Sequence, residues 1–289
     1  MIYFLKIKIF LIKIIKMIDI VYAGNDLMFD GLLLSLLSMV RRTKESIHIH
    51  FLTMDFSHLN PKYKPFTSKQ AEFILNELRK YNPNLDFSII DTTKEFNELL
   101  KNKKNEEPVY SPYTVLRLLI EQYPQFKGKI IYLDIDTMLY GDIKELYDID
   151  VDNLEFRAAH DYMGRVWIKK DYFNAGILLL NIDVIRETKL FEKARDLLKT
   201  KKMYFADQTA LYLAKSKFEF FPDEYRFNEQ RKVKLNTVVK HFCKGIKWFP
   251  FKVYNVKQWE IEKVHNYLKI HEFDEDFAIY KEIISRYKR

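Results

Sequence analysis

The sequence predicts an α/β fold, in which one sheet carries helices on both faces between residue 17 and about residue 222. Two observations carry this prediction: apolar runs of strand length alternate with helical segments along the chain, and 48% of the 289 residues are hydrophobic. With 16% aromatic residues, the chain is globular rather than disordered. Seven glycines, eight prolines and no repeat of fixed period exclude collagen-like, low-complexity and solenoid proteins.

The first half of the chain contains four predicted strands and three predicted helices. The first helix follows the first strand directly, and Asp30 is expected to cap it. In order, the segments are strand IDIVYAG, helix FDGLLLSLLSMVRRT, strand SIHIHFLTMD, a helix over 68–81, strand LDFSIID, a helix over 111–123 and strand KIIYLD.

The second half continues with two strands and two helices. FRAAHDY and NAGILLLNID are strands, and 183–200 is an amphipathic helix. A last helix, DQTALYLAKS, is entered at Asp207 as its N-cap. Residues 223–289 have weaker periodicity and are expected to pack against the core as a basic, aromatic tail.

The net charge of +8 is unevenly distributed. Residues 1–16 carry four lysines and no acid, and residues 226–257 carry nine basic residues against Glu229 alone. The opening MIYFLKIKIFLIKIIK is too often interrupted by lysine to span a bilayer, and it does not have the layout of a signal peptide. It is either sequence upstream of a true start at Met17 or an interfacial amphipathic anchor. The single cysteine, Cys243, forms no internal disulfide and fits the reducing cytoplasm.

One motif carries the chemistry. Asp134-Ile135-Asp136 directly follows the apolar run of the fourth strand, and residues two apart in a strand point to the same side. Two carboxylates at the end of a buried strand need compensation, and a divalent cation supplies it. The motif therefore predicts a metal site. The same spacing recurs without a preceding buried strand, and these copies are predicted to be solvated turns: Asp148-Ile149-Asp150, Asp150-Val151-Asp152 and Asp274-Glu275-Asp276.

The order IIYLDID, YFNAGILLLNID, ADQTAL and HFCKGIKW resembles glycosyltransferase family 8, retaining enzymes of the GT-A fold that use nucleotide-sugar donors. The resemblance runs from about Asp19 to Trp248. It implies a GT-A catalytic core over 17–222, completed by residues 241–248. It also implies a hexosyltransferase that uses a UDP-sugar and Mn²⁺ or Mg²⁺, of the kind that builds lipopolysaccharide or other surface glycans in bacteria.

The resemblance assigns roles residue by residue. Asp134, Asp136 and His241 match the metal ligands, and Lys247 matches a lysine that contacts the donor phosphates. Asn25 stands where an aspartate is common in the family. The remaining matches are Ala23, Gly24, Asn25 and Asp26 with the uracil and ribose site, Ile135 within the acidic motif, and Arg117, Asp161, Asn174, Ala175, Gly176, Asp207 and Gln208 with the sugar site.

The resemblance implies that Gln208 is the only residue near the expected position of a covalent nucleophile. An amide is a poor nucleophile, so attack on the face of the leaving group is favoured. A sugar nucleotidyltransferase is the first rival, but YAGNDLMFD contains no Gly-rich phosphate loop.

The second rival is a binding protein for a membrane or nucleic-acid surface, built on a non-catalytic core. The stretch 226–257 interleaves lysines with six aromatic residues, which suits either surface. A lipid-linked or glycan acceptor makes peripheral contact with an anionic membrane the better prediction, at the inner face of the cell membrane. Nucleic acid is the less favoured partner.

Overall fold

The computed structural model describes residues 17–287 except 102, 104, 107–110, 204 and 248–251. Residues 1–16, predicted to be either upstream sequence or an interfacial anchor, therefore lie outside the described residues. The strands are β1 (Ile18–Ala23), β2 (Ile47–Thr53), β3 (Leu85–Asp91), β4 (Lys129–Leu133), β5 (Thr137–Leu139), β6 (Phe156–His160), β7 (Phe173–Asn181), β8 (Phe218–Phe220), β9 (Val239–His241), β10 (Gly245–Lys247) and β11 (Lys252–Tyr254).

The helices alternate with these strands in the first three quarters of the chain. They are α1 (Phe29–Val40), α2 (Ser68–Leu78), α3 (Thr93–Leu100), α4 (Ile143–Tyr147), α5 (Gly164–Trp167), α6 (Ile182–Thr188), α7 (Leu190–Thr200), α8 (Ala206–Ala214), α9 (Glu224–Phe227), α10 (Ile261–Lys263) and α11 (Asp274–Tyr287). A short 3₁₀ helix occurs at Asp26–Met28 and a long one at Pro112–Gln122. Val264–Leu268 forms a π-helical turn.

Seven strands form one mixed sheet in the order β3-β2-β1-β4-β7-β6-β8. Strands β3, β2, β1 and β4 are parallel, whereas β7 runs antiparallel to both of its neighbours. The carboxyl ends of β1, β4 and β6 and the amino end of β7 therefore meet at one edge. Two small antiparallel pairs, β5 with β9 and β10 with β11, lie outside this sheet.

Both faces of the sheet are covered, as the sequence predicts. Helices α1, α2 and α11 pack on one face, and α7, α8 and the 3₁₀ helix Pro112–Gln122 pack on the other. Strands β1, β4 and β7 at the centre of the sheet are almost fully buried and so appear as continuous apolar runs rather than alternating ones. The sequence pattern located six of the seven strands of this sheet and missed the short, partly exposed β8.

The C-terminal segment belongs to the same core and the chain forms a single domain. Phe273 and Phe277 are buried against α1, and Asp276 is fully buried between Arg41 and Arg42. The prediction of a solvated turn at 274–276 is therefore wrong, because these acids begin α11 and one of them anchors it to α1.

Three helix predictions also need correction. Asp30 does not cap α1, because the preceding 3₁₀ turn already leads into the helix and Met28 is the N-cap residue. Asp207 does not cap α8 either; the N-cap residue is Phe205, and Asp207 lies in the first turn. The helix expected over 183–200 is broken at Lys189, whose backbone adopts the left-handed conformation (φ 57°).

Candidate active site

A cleft of about 410 Å³ opens at the edge of the sheet where the strand ends meet. Its lining includes Ala23 at the end of β1, Asp134 after β4, Asp161 after β6 and Asn174 near the start of β7. In open α/β sheets, ligands bind outside the carboxyl ends of the strands. The antiparallel course of β7 adds its amino end to the same place.

Asp134 and Asp136 occupy the turn between β4 and β5. The strand alternation used to predict their common orientation is therefore not what brings them together. Thr137 closes the turn by donating from Oγ1 to the carbonyl of Asp134 at 2.8 Å. Strand β9 pairs with β5 so that His241 lies opposite Thr137.

The two carboxylates and His241 form a cluster whose ligand atoms all lie within 4.8 Å of one another. The His241 Nε2 atom is 3.1 Å from Asp136 Oδ1 and 3.9 Å from Asp134 Oδ2. Gly176 packs directly against this cluster: a Cβ there would lie 2.3 Å from His241 Cε1, 2.7 Å from Asp134 Oδ2 and 2.9 Å from His241 Nε2, so no side chain fits. Two carboxylates and an imidazole that converge in this way, with no further side chain against them, fit a divalent metal ion.

The orientation of the His241 ring is fixed by a chain of amides. Asn228 Nδ2 donates to Asn174 Oδ1 at 3.1 Å. The Oδ1 atom of Asn228 therefore faces His241 Nδ1, at 3.3 Å, as an acceptor. His241 Nδ1 must then carry the proton, which leaves Nε2 directed at the carboxylates. Hydrogen bonding of the remote ring nitrogen is the usual way in which a metal-binding histidine is oriented.

The two acids have different electrostatic environments. Burial raises the pKa of Asp134, only partly offset by the Arg117 guanidinium. Burial also opposes ionisation of Asp136, but the Lys257 ammonium and His241 hold its pKa well below the usual range. Lys257 contacts Asp136 Oδ2 directly and donates to the Phe242 carbonyl at 3.1 Å.

Arg117 lies inside the site with 2% of its surface exposed. Its Nη2 donates to Asp134 Oδ1 at 2.9 Å, and its Nε lies 3.0 Å from Asp207 Oδ2. Its Nη1 donates to the Ala175 carbonyl, and the guanidinium stacks 4.3 Å above the ring of Tyr132. All three nitrogens are thus engaged, and the arginine links two acids that the sequence places 73 positions apart (207 minus 134).

The sugar-site candidates form a second network. The Gln208 carbonyl accepts from the Ala175 N–H at 2.9 Å, and its amide nitrogen donates to Asp161 Oδ2 at 3.2 Å. Asn174 donates to the same Asp161 oxygen at 3.2 Å. These polar groups face the cleft and hold one another in fixed rotamers.

The loop after β1 carries polar atoms that have no partner among the described residues. The side-chain Oδ1 atoms of Asn25 and Asp26 are both buried without a hydrogen bond. Buried polar oxygens normally find a partner, so unpaired ones beside a cleft indicate a ligand site. Gly24 is required here, since a Cβ would lie 2.5 Å from Ile135 Cδ1.

The family model described as glycosyl transferase family 8 matches residues 19–250, which is most of the chain. The chain belongs to glycosyltransferase family 8. The members of this family are transferases that use nucleotide-sugar donors, typically with a divalent metal. The fold and the enzyme class predicted from the motifs are therefore confirmed.

Relatives and solved structures agree with this assignment. A putative glycosyltransferase of Haemophilus influenzae is 24% identical over 248 residues, which cover 78% of this chain and 71% of that protein. The galactosyltransferase LgtC, solved with donor and acceptor sugar analogues, has a TM-score of 0.64 and 21% identity over 92% of this chain and 96% of that one. The glycosyltransferase GlyE of Streptococcus pneumoniae has a TM-score of 0.60 and 19% identity over 94% and 64% of the two chains.

The residues that the family resemblance singles out lie together around the cleft. Lys247, which ends β10, is the exception, because its side chain is not among those that the structure describes. Ile135 packs at the floor of the cleft, between the two acids. The roles of these residues remain predictions.

Sequence reasoning missed two residues that contact the site. Asn228 has no motif of its own and is recognised only through its bond to His241. Lys257 was expected to be a surface cation of the basic stretch, and this is wrong: it is largely buried against Asp136. The next residue, Gln258, donates to the Ile135 carbonyl at 2.7 Å and so ties the same segment to the acidic turn.

The basic stretch 226–257 is consequently not a uniform charged surface. Lys240 is 2% exposed and donates to the His241 carbonyl at 2.7 Å, and Arg226 pairs with Glu145. Lys232 and Lys234 remain exposed. Within the described residues, no helix combines the length and apolar character needed to cross a membrane.

Proposed function

We propose that this chain is a retaining, metal-dependent hexosyltransferase that moves a sugar from a UDP-sugar to the hydroxyl of a glycan or lipid-linked acceptor. The observation that carries the proposal is the cluster of Asp134, Asp136 and His241, against which Gly176 packs without a side chain. A divalent cation held there would neutralise the diphosphate of the donor and stabilise it as a leaving group.

A uridine donor is supported by the loop after β1. The unpaired oxygens of Asn25 and Asp26 can accept hydrogen bonds from the base and the ribose hydroxyls. Both lie at the end of the strand next to β4, which leads into the acidic turn. The nucleoside and the diphosphate would therefore bind side by side along the strand ends.

The arrangement of Gln208 supports attack on the face of the leaving group. Both ends of its amide are engaged, the oxygen by the Ala175 N–H and the nitrogen by Asp161, so the side chain is held in place, and an amide oxygen is a poor nucleophile. In the proposed reaction the bond from the anomeric carbon to the diphosphate oxygen breaks. The acceptor oxygen forms its bond on the same side, and its proton passes to the departing phosphate oxygen.

Two cations, Arg117 and Lys257, place positive charge where the negative donor diphosphate would bind. Arg117 keeps Asp134 and Asp207 in place, and we assign to Lys257 a further role at the diphosphate. Its ammonium pairs with Asp136 and lines the cleft. It is thus available to the phosphate oxygens once that carboxylate binds a cation.

We further propose that the acceptor belongs to a bacterial surface glycan and that the enzyme acts in the cytoplasm at the inner face of the cell membrane. The polar groups of Asp161, Asn174 and Gln208 suit the hydroxyls of a sugar acceptor and donor. Assembly of surface glycans on lipid carriers would require access to the membrane interface.

The test is a panel of UDP-, GDP- and ADP-sugars incubated with the full chain and Mn²⁺, Mg²⁺ or EDTA. Hydrolysis and the shift in melting temperature are recorded for each pair. We expect turnover of UDP-sugars alone, abolished by EDTA and restored by Mn²⁺. Equal turnover of all nucleotides would refute the uridine assignment, and turnover in EDTA would refute the metal.

A further inference from the structure

Three consecutive large apolar residues are exposed at the helix that follows Asp161. Val166 is 58% exposed, Trp167 is 64% exposed and Ile168 is 42% exposed. Among the residues that the structure describes, no other run of three such residues is exposed. Scattered exposed apolar residues are ordinary on proteins, but a contiguous group marks a contact surface.

The run is continuous with a second exposed segment. Arg165 Nη1 lies 3.4 Å from the hydroxyl of Tyr225, which is 48% exposed. Lys234 lies 5.3 Å from the centre of the same Tyr225 ring, and the neighbouring Leu235 is 93% exposed. We name the combined surface of residues 165–170, Tyr225 and 232–235 the rim surface.

The rim surface is strongly cationic. Arg165, Lys169 and Lys170 flank the apolar run, and Lys232 and Lys234 lie on the second segment. Within the described part of the chain, Lys169, Lys170 and Lys232 have no acid within ion-pair distance, and Lys234 lies 3.7 Å from Glu229. The nearby acids are otherwise engaged: Asp171 accepts from Tyr212, Glu224 binds His160 and Asp223 faces Arg226.

The rim surface borders the cleft on the side of the sugar-site residues. Met163 and Gln230 line the cleft, and each lies two positions before one of the two segments, 165–170 and 232–235. Gln230 accepts a hydrogen bond from the Tyr162 N–H at 3.1 Å, so the two segments are fixed to each other. A molecule that binds the rim surface would thus be held at the mouth of the site.

We propose that the rim surface docks on an anionic lipid bilayer and thereby presents membrane-borne acceptors to the cleft. Tryptophan with apolar neighbours suits the bilayer interface, and the surrounding cations are complementary to anionic headgroups. This proposal rests on the proposed function for the nature of the acceptor. It also moves the expected membrane contact from the whole stretch 226–257 to this smaller surface.

The experiment is co-sedimentation of the full chain with vesicles of phosphatidylcholine alone or with roughly 30% phosphatidylglycerol, from about 50 to about 500 mM salt. The apolar variant is Trp167→Ser with Ile168→Ser, and the charge variant is Lys169→Gln with Lys170→Gln. The matched controls are Leu213→Ser, which removes a similarly exposed apolar residue elsewhere, and Lys193→Gln with Lys201→Gln.

We expect salt-sensitive binding to anionic vesicles, weakened by about tenfold or more in both rim variants and unchanged in both controls. UDP-sugar hydrolysis in solution should be the same in all of them, since none of these residues contacts the cleft. The proposal would be overturned if the wild-type protein did not bind anionic vesicles, or if the rim variants bound them as tightly as the wild type. Binding to polyglutamate in preference to vesicles would assign the surface to an acidic protein instead.

The outcomes separate this proposal from the proposed function. Hydrolysis of UDP-sugars without vesicle binding refutes the membrane surface alone. Vesicle binding without hydrolysis refutes the proposed donor chemistry and leaves the membrane surface standing.

Discussion

Replacement of Gly176 by alanine should strongly weaken metal binding without removing a charge or a ligand residue. The added Cβ would lie 2.3 Å from His241 Cε1, 2.7 Å from Asp134 Oδ2 and 2.9 Å from His241 Nε2, whereas ordinary contact begins at 3.4 Å. The imidazole ring must therefore move by 1.1 Å (3.4 minus 2.3) and the carboxylate oxygen by 0.7 Å (3.4 minus 2.7). Metal sites tolerate deviations of only about 0.2 Å.

Loss of one ligand position should weaken Mn²⁺ binding by at least about 100-fold, which is about 2.8 kcal/mol at about 1.4 kcal/mol per tenfold. Overpacking of this kind also lowers the free energy of unfolding by about 1–3 kcal/mol. Gly245→Ala is the matched control, because its Cβ would overlap the ring of Tyr254 to a similar degree outside the cluster.

Electron paramagnetic resonance of free Mn²⁺ measures the affinity directly, and thermal melting verifies that both variants are folded. We expect both variants to have a lower melting temperature than the wild type, and only Gly176→Ala to bind Mn²⁺ more weakly. If Gly176→Ala bound Mn²⁺ within about threefold of the wild type, the cluster would not be the metal site.

Three further outcomes follow from the same site. Asp134→Asn and Asp136→Asn should each cost at least about 2–3 kcal/mol of transition-state stabilisation in kcat/KM. Asp148→Asn should leave kcat/KM unchanged, because Asp148 is exposed and pairs with Lys144 on the surface, and equal losses in all three variants would contradict the assignment. Lys257→Met should tighten Mn²⁺ binding measured without nucleotide and weaken UDP binding measured calorimetrically at saturating Mn²⁺, and unchanged UDP affinity would remove Lys257 from the diphosphate site. Asn228→Ala should weaken Mn²⁺ binding by about 10–100-fold because the His241 ring loses its orientation, and an unaltered Mn²⁺ titration would exclude that positioning role.

The strands and the acidic motif could be predicted because their signals are local. Fully buried strands require continuous apolar runs, and Asp134 and Asp136 break such a run abruptly. The geometry between them was nevertheless mispredicted, since the chain turns after Leu133 to pair β5 with β9. Pairing across 104 positions, from Thr137 to His241, leaves no trace in the composition of either segment.

The second part of the site could not be predicted because its contacts are made by ordinary residue types. Lys257 differs in no local feature from the exposed Lys252 five positions earlier, yet it is buried against Asp136. Burial of the charge depends on the position of a carboxylate 121 residues away. The break between α6 and α7 at Lys189 could not be predicted either, because neither glycine nor proline marks it in the sequence.

The dispersion of the site along the chain has a consequence for biosynthesis. Asp136 leaves the ribosome 121 residues before Lys257, which at about 5–20 residues per second is roughly 6–24 s. During that interval the acidic turn has Arg117 beside it but neither His241 nor Lys257. A nascent chain can therefore form the parallel strands early, yet it cannot bring His241 and Lys257 to Asp136 until its last quarter has been made. Translation itself delays the onset of activity until the sheet that supports the site is in place.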